Sequence, residues 1–238
     1  MIKQLLDLLY PRRCVLCQNL CTSKPPSETD LCPSCQKDLP LIGQACHQCG
    51  IPLHTTQKQL LCGQCLQHPP AYDHVISIYH YQNPLVWLIQ QMKFKKKPGI
   101  ANLLGHLMAA HIKHRKPALP DAIIPVPLHF KRQLERHFNQ SEEIAKVIAK
   151  NLNCYLDTQY LERHKQSLQQ SGLDAAQRKR NVRGIFRITN KMKNNYHHVA
   201  IIDDVMSTGS TVNEIAKTLK KSGIERTDVW VLARASNN

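Results

Sequence analysis

Thirteen residues near the carboxyl end constrain this chain more than any other stretch: Val199-Ala200-Ile201-Ile202-Asp203-Asp204-Val205-Met206-Ser207-Thr208-Gly209-Ser210-Thr211. The first four are apolar, end in two β-branched residues and read as a buried strand. Two adjacent carboxylates, Asp203 and Asp204, stand at its carboxyl end. A loop of small and hydroxyl residues follows, and residues 212–222 have helical spacing. Strand, acidic pair, loop and helix make one half of a βαβ unit, and open α/β sheets bind ligands beyond the carboxyl ends of their strands. Gly209 makes backbone N–H groups of the loop accessible, and the helix behind it adds a positive dipole end, a combination that suits a phosphate. The two acids suit a pair of vicinal hydroxyls, or a magnesium ion with its waters. A sugar phosphate fits both halves of the stretch.

This pattern resembles the phosphoribosyl-pyrophosphate (PRPP) motif of type I phosphoribosyltransferases, in which hydrophobic residues precede two acids and a Thr-Gly loop. It lacks the Gly-x4-Gly-Lys-Ser/Thr spacing of a nucleoside-triphosphate loop. The resemblance implies PRPP contacts from Asp203, Asp204, Ser207, Thr208, Gly209, Ser210 and Thr211, with magnesium accompanying PRPP. The fold class it implies is α/β, a phosphoribosyltransferase-type I sheet that is open and mostly parallel, with helices on both faces.

The amino-terminal part obeys different rules. Nine of the ten cysteines lie before residue 66, and eight of them form the pairs Cys14/Cys17, Cys32/Cys35, Cys46/Cys49 and Cys62/Cys65. A Cys-x2-Cys knuckle points two sulfurs at one spot, and two knuckles complete the tetrahedral thiolate site that zinc prefers. Residues 12–67 hold few apolar side chains, so metal binding must supply folding free energy directly. We expect a cysteine-rich double zinc ribbon with two zinc ions. Sequential pairing of the knuckles is favoured, with an interleaved cross-brace left open. Cys21 is spare, and Cys154 reads as a small buried hydrophobe. The doublet Pro69-Pro70 marks the expected boundary between a module at 1–70, which includes a short amphipathic amino-terminal helix, and a body at 71–238.

Lys and Arg number 32 against 17 Asp and Glu, a formal charge of +15. It stays strongly positive once eight thiolates and two zinc ions are counted. Such a balance favours polyanions: nucleic acid, phosphorylated ligands or an anionic membrane surface. No stretch reaches the roughly 18 apolar residues needed to span a bilayer. The initial apolar run is too short and too acidic for a signal peptide, and paired cysteines here read as metal ligands, so a cytoplasmic location is expected.

Along the body, residues 72–81 read as a strand. A helix follows Pro84 with Leu85, Leu88, Ile89 and Met92 on one face, running into Lys93-Phe94-Lys95-Lys96-Lys97. A basic cluster around an aromatic is one way single-stranded nucleic acid is gripped, and a solvated helix end is the other reading. Residues 99–115 form a second helix with Leu103, Leu104, Leu107 and Met108 inward. Residues 121–128 make a strand that leaves the sheet at its prolines. A basic loop carrying Lys131 and Arg132 precedes a helix at 141–151, with Ser141 placed to cap it and Ile144, Val147 and Ile148 buried. Such a loop suits a pyrophosphate. Residues 155–161 give another strand. The long polar segment 162–187, with Arg178, Arg180 and Arg183, suits a lid over an anion or contacts to nucleic-acid phosphates. Residues 185–188 re-enter the sheet, and 229–232 close it.

Taken together, these parts resemble the ComF family of competence-associated proteins. The carriers are the cysteine module, Met92-Lys93-Phe94, Pro125-Val126-Pro127-Leu128, Phe138-Asn139-Gln140, Arg178 with Asn181 and Phe186, and the Asp-Asp-Val-Met-Ser-Thr-Gly stretch. His137 stands where the family usually has glycine, and Ser167 where it has threonine. The resemblance implies a role in natural transformation, handling incoming single-stranded DNA in the cytoplasm, with DNA-uptake machinery at the inner membrane as partner. It also implies PRPP or a related ribose phosphate at the acidic strand end, with Arg178 joining Lys131 and Arg132 as phosphate ligands. Lys93, Phe94, Lys95, Lys96, Lys97, Arg180 and Arg183 are the candidates for nucleic acid. The alternative is an active phosphoribosyltransferase on a nucleobase-like or other small metabolite. Turnover is left open.

Overall fold

The computed structural model describes residues 12–21, 29–53, 60–95, 97–128, 138–165, 182–189 and 196–235. Its body is built on two runs that are apolar on both faces, as strands buried between helix layers must be. They are β5 (His198–Met206) and β6 (Arg226–Arg234). These two pair in parallel from His198↔Arg226 to Met206↔Arg234. The strand β1 (His74–His80) pairs with the other edge of β6, and β2 (Ala122–Pro125) with the other edge of β5, both in parallel. The sheet order is β1-β6-β5-β2. The run at 229–232 therefore lies inside the sheet rather than closing it, a placement decided by pairing that no local pattern reports.

Helices cover both faces. On one side lie α3 (Leu85–Lys95), α4 (Pro98–Arg115) and α5 (Gln140–Leu152). Their fully buried Leu88, Ile89, Met92, Leu104, Met108, Ile144 and Ile148 meet Ala200, Ile202, Trp230 and Leu232 of the sheet. On the other side α6 (Ser210–Lys221) lays Val212, Ile215, Ala216 and Leu219 on Val199, Ile201, Val229 and Val231. Alternate residues of one strand feeding opposite cores is the period-two rule of a pleated strand. The α/β class, the open parallel sheet and the helices on both faces are as expected.

Two expected strands are corrected. Residues 155–161 give a single bridge, Leu156 to Ile123, and the strand proper is β3 (Leu161–Arg163). The run at 185–188 does not re-enter the sheet: β4 (Phe186–Ile188) pairs antiparallel with β3 in a separate two-stranded ribbon. Three-residue pairings like this follow from what the chain meets in space, so sequence pattern could not assign their partner.

The cysteine module has two short helices, α1 (Pro33–Lys37) and α2 (Gly63–Gln67), each following a cysteine N-cap. It covers the outer edge of β1, which would otherwise expose unpaired backbone groups. The Ile42 and His80 N–H groups exchange bonds across this edge with the carbonyls of Ile78 (2.9 Å) and Pro40 (2.8 Å). Val75 N–H donates to the His47 carbonyl at 2.8 Å, and Ser77 Oγ to the Gly50 carbonyl at 2.8 Å. Gly50 has φ +68°, and a Cβ there would fall 2.7 Å from Val75 Cγ1, so the close approach needs glycine. Among the described residues no helix is long and apolar enough to cross a membrane.

Candidate functional site

The four knuckles close into two sulfur groups, Cys14/Cys17/Cys32/Cys35 and Cys46/Cys49/Cys62/Cys65, each with its sulfurs within 4.8 Å of one another. Pairing is sequential, as favoured. Four thiolates about 2.3 Å from a tetrahedral zinc lie about 3.8 Å apart. The Cys17–Cys32 and Cys49–Cys62 sulfurs stand at 3.7 Å. Backbone N–H groups point at the sulfurs too, from Cys35 to Cys32 Sγ (3.5 Å) and from Cys62 to Cys46 Sγ (3.3 Å). Burial alone would raise the Cys46 thiol, but N–H donors of Cys62, Cys49 and Gln48 bring it down to about 7. The donor sets fit zinc, in closed sites that leave no ligand position for chemistry. Cys21 lies outside both groups.

The second feature stands at the carboxyl end of β5. The strand continues through both acids to Met206, because β6 pairs with it as far as Arg234. Gly209 then takes φ +73° as N-cap of α6. A Cβ at this position would meet Met206 Cε at 2.6 Å and the Tyr72 hydroxyl at 3.1 Å. With no side chain to cap it, the first turn of α6 directs its amide end and positive dipole at the cleft beyond the strand. The helix begins two residues earlier than its spacing suggested, since Ser210 and Thr211 are small enough to form that turn.

Opposite the loop, Asn139 caps α5. Its side-chain oxygen accepts from Ser141 N–H at 3.1 Å, and its amide donates to the Val126 carbonyl at 3.0 Å. The expected cap, Ser141, is therefore the second residue of the helix, where its hydroxyl donates to Asp203 Oδ1 at 3.0 Å. Asp204 N–H donates to the same oxygen at 2.9 Å. Asp204 itself is 6 % exposed. Its Oδ1 accepts from Val205 N–H at 2.8 Å, and its Oδ2 holds the Lys93 ammonium at 2.6 Å. Burial and the neighbouring Asp204 charge push the Asp203 carboxyl up to about 7, against the pull of Lys93 and its two hydrogen-bond donors.

These groups line one cleft of about 170 Å³ together with the loop, Gln140, Arg163 and Val126-Pro127-Leu128. Asp203, Asp204, Ser207, Thr208, Gly209, Ser210 and Thr211 are thus brought together. Lys93 joins them: its ammonium is turned into the cleft rather than out toward a polyanion. Lys97 and Arg183 are exposed and outside the cleft. Lys95 and Phe94 lie on the last turn of α3. Lys96, Lys131, Arg132, Arg178 and Arg180 fall outside the described residues. Sequence reasoning missed Ser141 as a partner of Asp203, whereas Arg163, from the polar segment expected to meet an anion, lines the cleft.

It also missed Arg234, 6 % exposed at the end of β6. Its guanidinium donates to the Met206 carbonyl at 3.1 Å, to the carbonyls of Ser207 and Ala235, and through Nε to the Cys49 carbonyl at 3.0 Å. One side chain thereby ties the second zinc knuckle to the start of the loop. A lone arginine ending an apolar strand was the available signal.

A double zinc ribbon docked on an α/β body, with a phosphate-type loop and an acidic pair at one strand end, defines the class. The double zinc ribbon domain family matches residues 5–66. Competence protein F of Haemophilus influenzae is 37% identical over 229 residues, 94% of this chain and 97% of its own. DNA utilization protein YhgH of Escherichia coli K12 is 36% identical over 208 residues, 86% of this chain and 90% of its own. The chain belongs to the family of these two proteins. Competence protein ComFC of Bacillus subtilis is 25% identical over 203 residues, covering 81% and 79%. Among solved structures, a hypoxanthine phosphoribosyltransferase from Staphylococcus aureus overlaps 56% of this chain and 62% of its own, at 14% identity and a TM-score of 0.36.

Proposed function

We propose that this protein handles DNA during uptake or utilization, and that its body binds a ribose phosphate, PRPP or a close relative, at the end of β5. The observation carrying the second part is the left-handed Gly209 between the acidic pair and the amide end of α6. In this reading the 5′-phosphate lies on Ser207, Thr208, Gly209, Ser210 and Thr211, and the ribose hydroxyls meet Asp203 and its neighbours. Lys131, Arg132 and Arg178 neutralise the pyrophosphate of PRPP. Magnesium accompanies PRPP on that pyrophosphate. It does not fit the acid pair directly, because Asp204 is already paired with the Lys93 ammonium.

The DNA part draws on the names of the relatives, competence protein F and DNA utilization protein, and on the charge of +15. Single-stranded DNA is the proposed form, with Phe94, Lys95, Lys96, Lys97, Arg180 and Arg183 as its contacts, in the cytoplasm beside the uptake machinery. The division of labour follows 1–70 and 71–238. Calorimetry with PRPP and magnesium, with and without single-stranded DNA, tests both parts. The expected result is saturable PRPP binding and DNA binding that falls steeply with salt. Pyrophosphate release with a nucleobase would instead support a phosphoribosyltransferase. Absence of PRPP binding, or of DNA binding at low salt, would refute the corresponding part.

A further inference from the structure

Lys93 enters the sequence as one of a run of cations, yet its side chain is on the lining of the cleft. Its backbone belongs to the last turns of α3, held by the fully buried Leu88, Ile89 and Met92. That anchoring delivers the ammonium to Asp204 Oδ2, with the lysine side chain 22 % exposed and the aspartate side chain 9 % exposed.

The remaining hydrogen-bond capacity is specific. Asp204 accepts from Val205 N–H at Oδ1, and its Oδ2 is ion-paired with Lys93. Asp203 Oδ1 has two donors, Ser141 Oγ and Asp204 N–H. Its Oδ2 has no hydrogen-bond partner among the described residues and belongs to a cleft-lining side chain. An ammonium carries three protons and no acceptor, and Lys93 meets Asp204 as an ion pair. The cleft lining thus offers an acceptor on Asp203 and a cationic donor on Lys93. A vicinal diol needs that set: one hydroxyl donates to the carboxylate while its oxygens accept from the ammonium. A divalent ion would instead compete for a carboxylate that already holds a cation, since Asp204 is paired with Lys93.

We propose that Lys93 is the resident cation of this site, taking the place of a divalent ion so that the ribose hydroxyls of a sugar phosphate bind without metal. The proposal rests on the ribose-phosphate reading above. It gives Lys93 a role in ligand binding rather than in gripping DNA.

The test is titration calorimetry of the full zinc-loaded chain with ribose 5-phosphate, which has no pyrophosphate to carry magnesium. Buffers contain either a magnesium salt or a metal-free treated equivalent, avoiding chelators that would strip zinc. Wild-type affinity should agree within about twofold between the two buffers, since no divalent ion is required. Lys93→Met should lose about tenfold or more in metal-free buffer, the loss of one charge-assisted hydrogen bond, and Lys93→Arg should recover most of it. A wild-type protein that binds only with magnesium overturns the role of Lys93 and leaves the ribose-phosphate reading standing. No saturable binding in either buffer refutes that reading and the proposal with it. A folded Lys93→Met protein that binds as tightly as wild type without metal also overturns the proposal. Should Lys93→Met fail to fold, the wild-type comparison and Lys93→Arg still decide.

Discussion

At the scale of single residues, Gly209 and Asp203 carry the sharpest expectations. Gly209 combines φ +73° with a neighbour only 2.6 Å from any Cβ, so Gly209→Ala meets both backbone strain and a clash with Met206. A loss of about 2 kcal/mol in urea unfolding is expected, together with weaker ribose 5-phosphate binding. Asp203 gives a pH signature. Its carboxyl is raised to about 7 in the fold, from an ordinary 3.8. The folded state therefore holds a proton that the unfolded chain releases between those values, and this contribution to stability is greatest at low pH and is lost as pH rises through about 7. Asp203→Asn removes the titration. The stability of wild type relative to Asp203→Asn should fall from pH 5 to pH 8 in urea melts, and a flat difference would contradict the buried pairing.

At the scale of elements, the start of α5 and the end of β6 position the cleft. Asn139 satisfies α5 with its oxygen and the end of β2 with its amide. Asn139→Ala should cost about 1–2 kcal/mol by urea unfolding, and it should weaken ribose 5-phosphate binding because Ser141 is displaced from Asp203. Helices were the most legible elements: Leu85, Leu88, Ile89 and Met92 share a face at helical spacing and are all fully buried. The loop and acid pair were legible too, because a strand, two acids and a small-residue turn leave few alternatives. What escaped was long-range. Ser141 looks like a cap from its neighbours in sequence, but Asn139 takes that position because its side chain also reaches Val126. Lys93 and Asp204 are far apart in the chain, and only the packing of α3 on the sheet joins them. Likewise, the partner of β4 is set by where β3 lies, which no periodicity in either segment reveals.

At the scale of the whole molecule, the zinc module and the ligand loop form one structure through Arg234. Its bonds to Cys49, Met206 and Ser207 make the second ribbon part of the floor under the loop. Removing zinc with a strong chelator should lower the melting temperature, because the ribbon then no longer seals the edge of β1. The metal released should approach two equivalents per chain, one for each four-sulfur group. Ribose 5-phosphate affinity should fall in parallel with zinc loss, and so should that of Arg234→Met with its zinc intact. Unchanged affinity in Arg234→Met would mean that the tether is purely structural.

The central claim is that the turn between β5 and α6 receives a sugar phosphate. Amide NMR of the isotope-labelled protein titrated with ribose 5-phosphate tests it at the atoms concerned. Saturable shifts are expected for the N–H groups of Ser207, Thr208, Gly209, Ser210 and Thr211, with inorganic phosphate competing. Shifts confined to other parts of the surface, or none at saturating ligand, would contradict it.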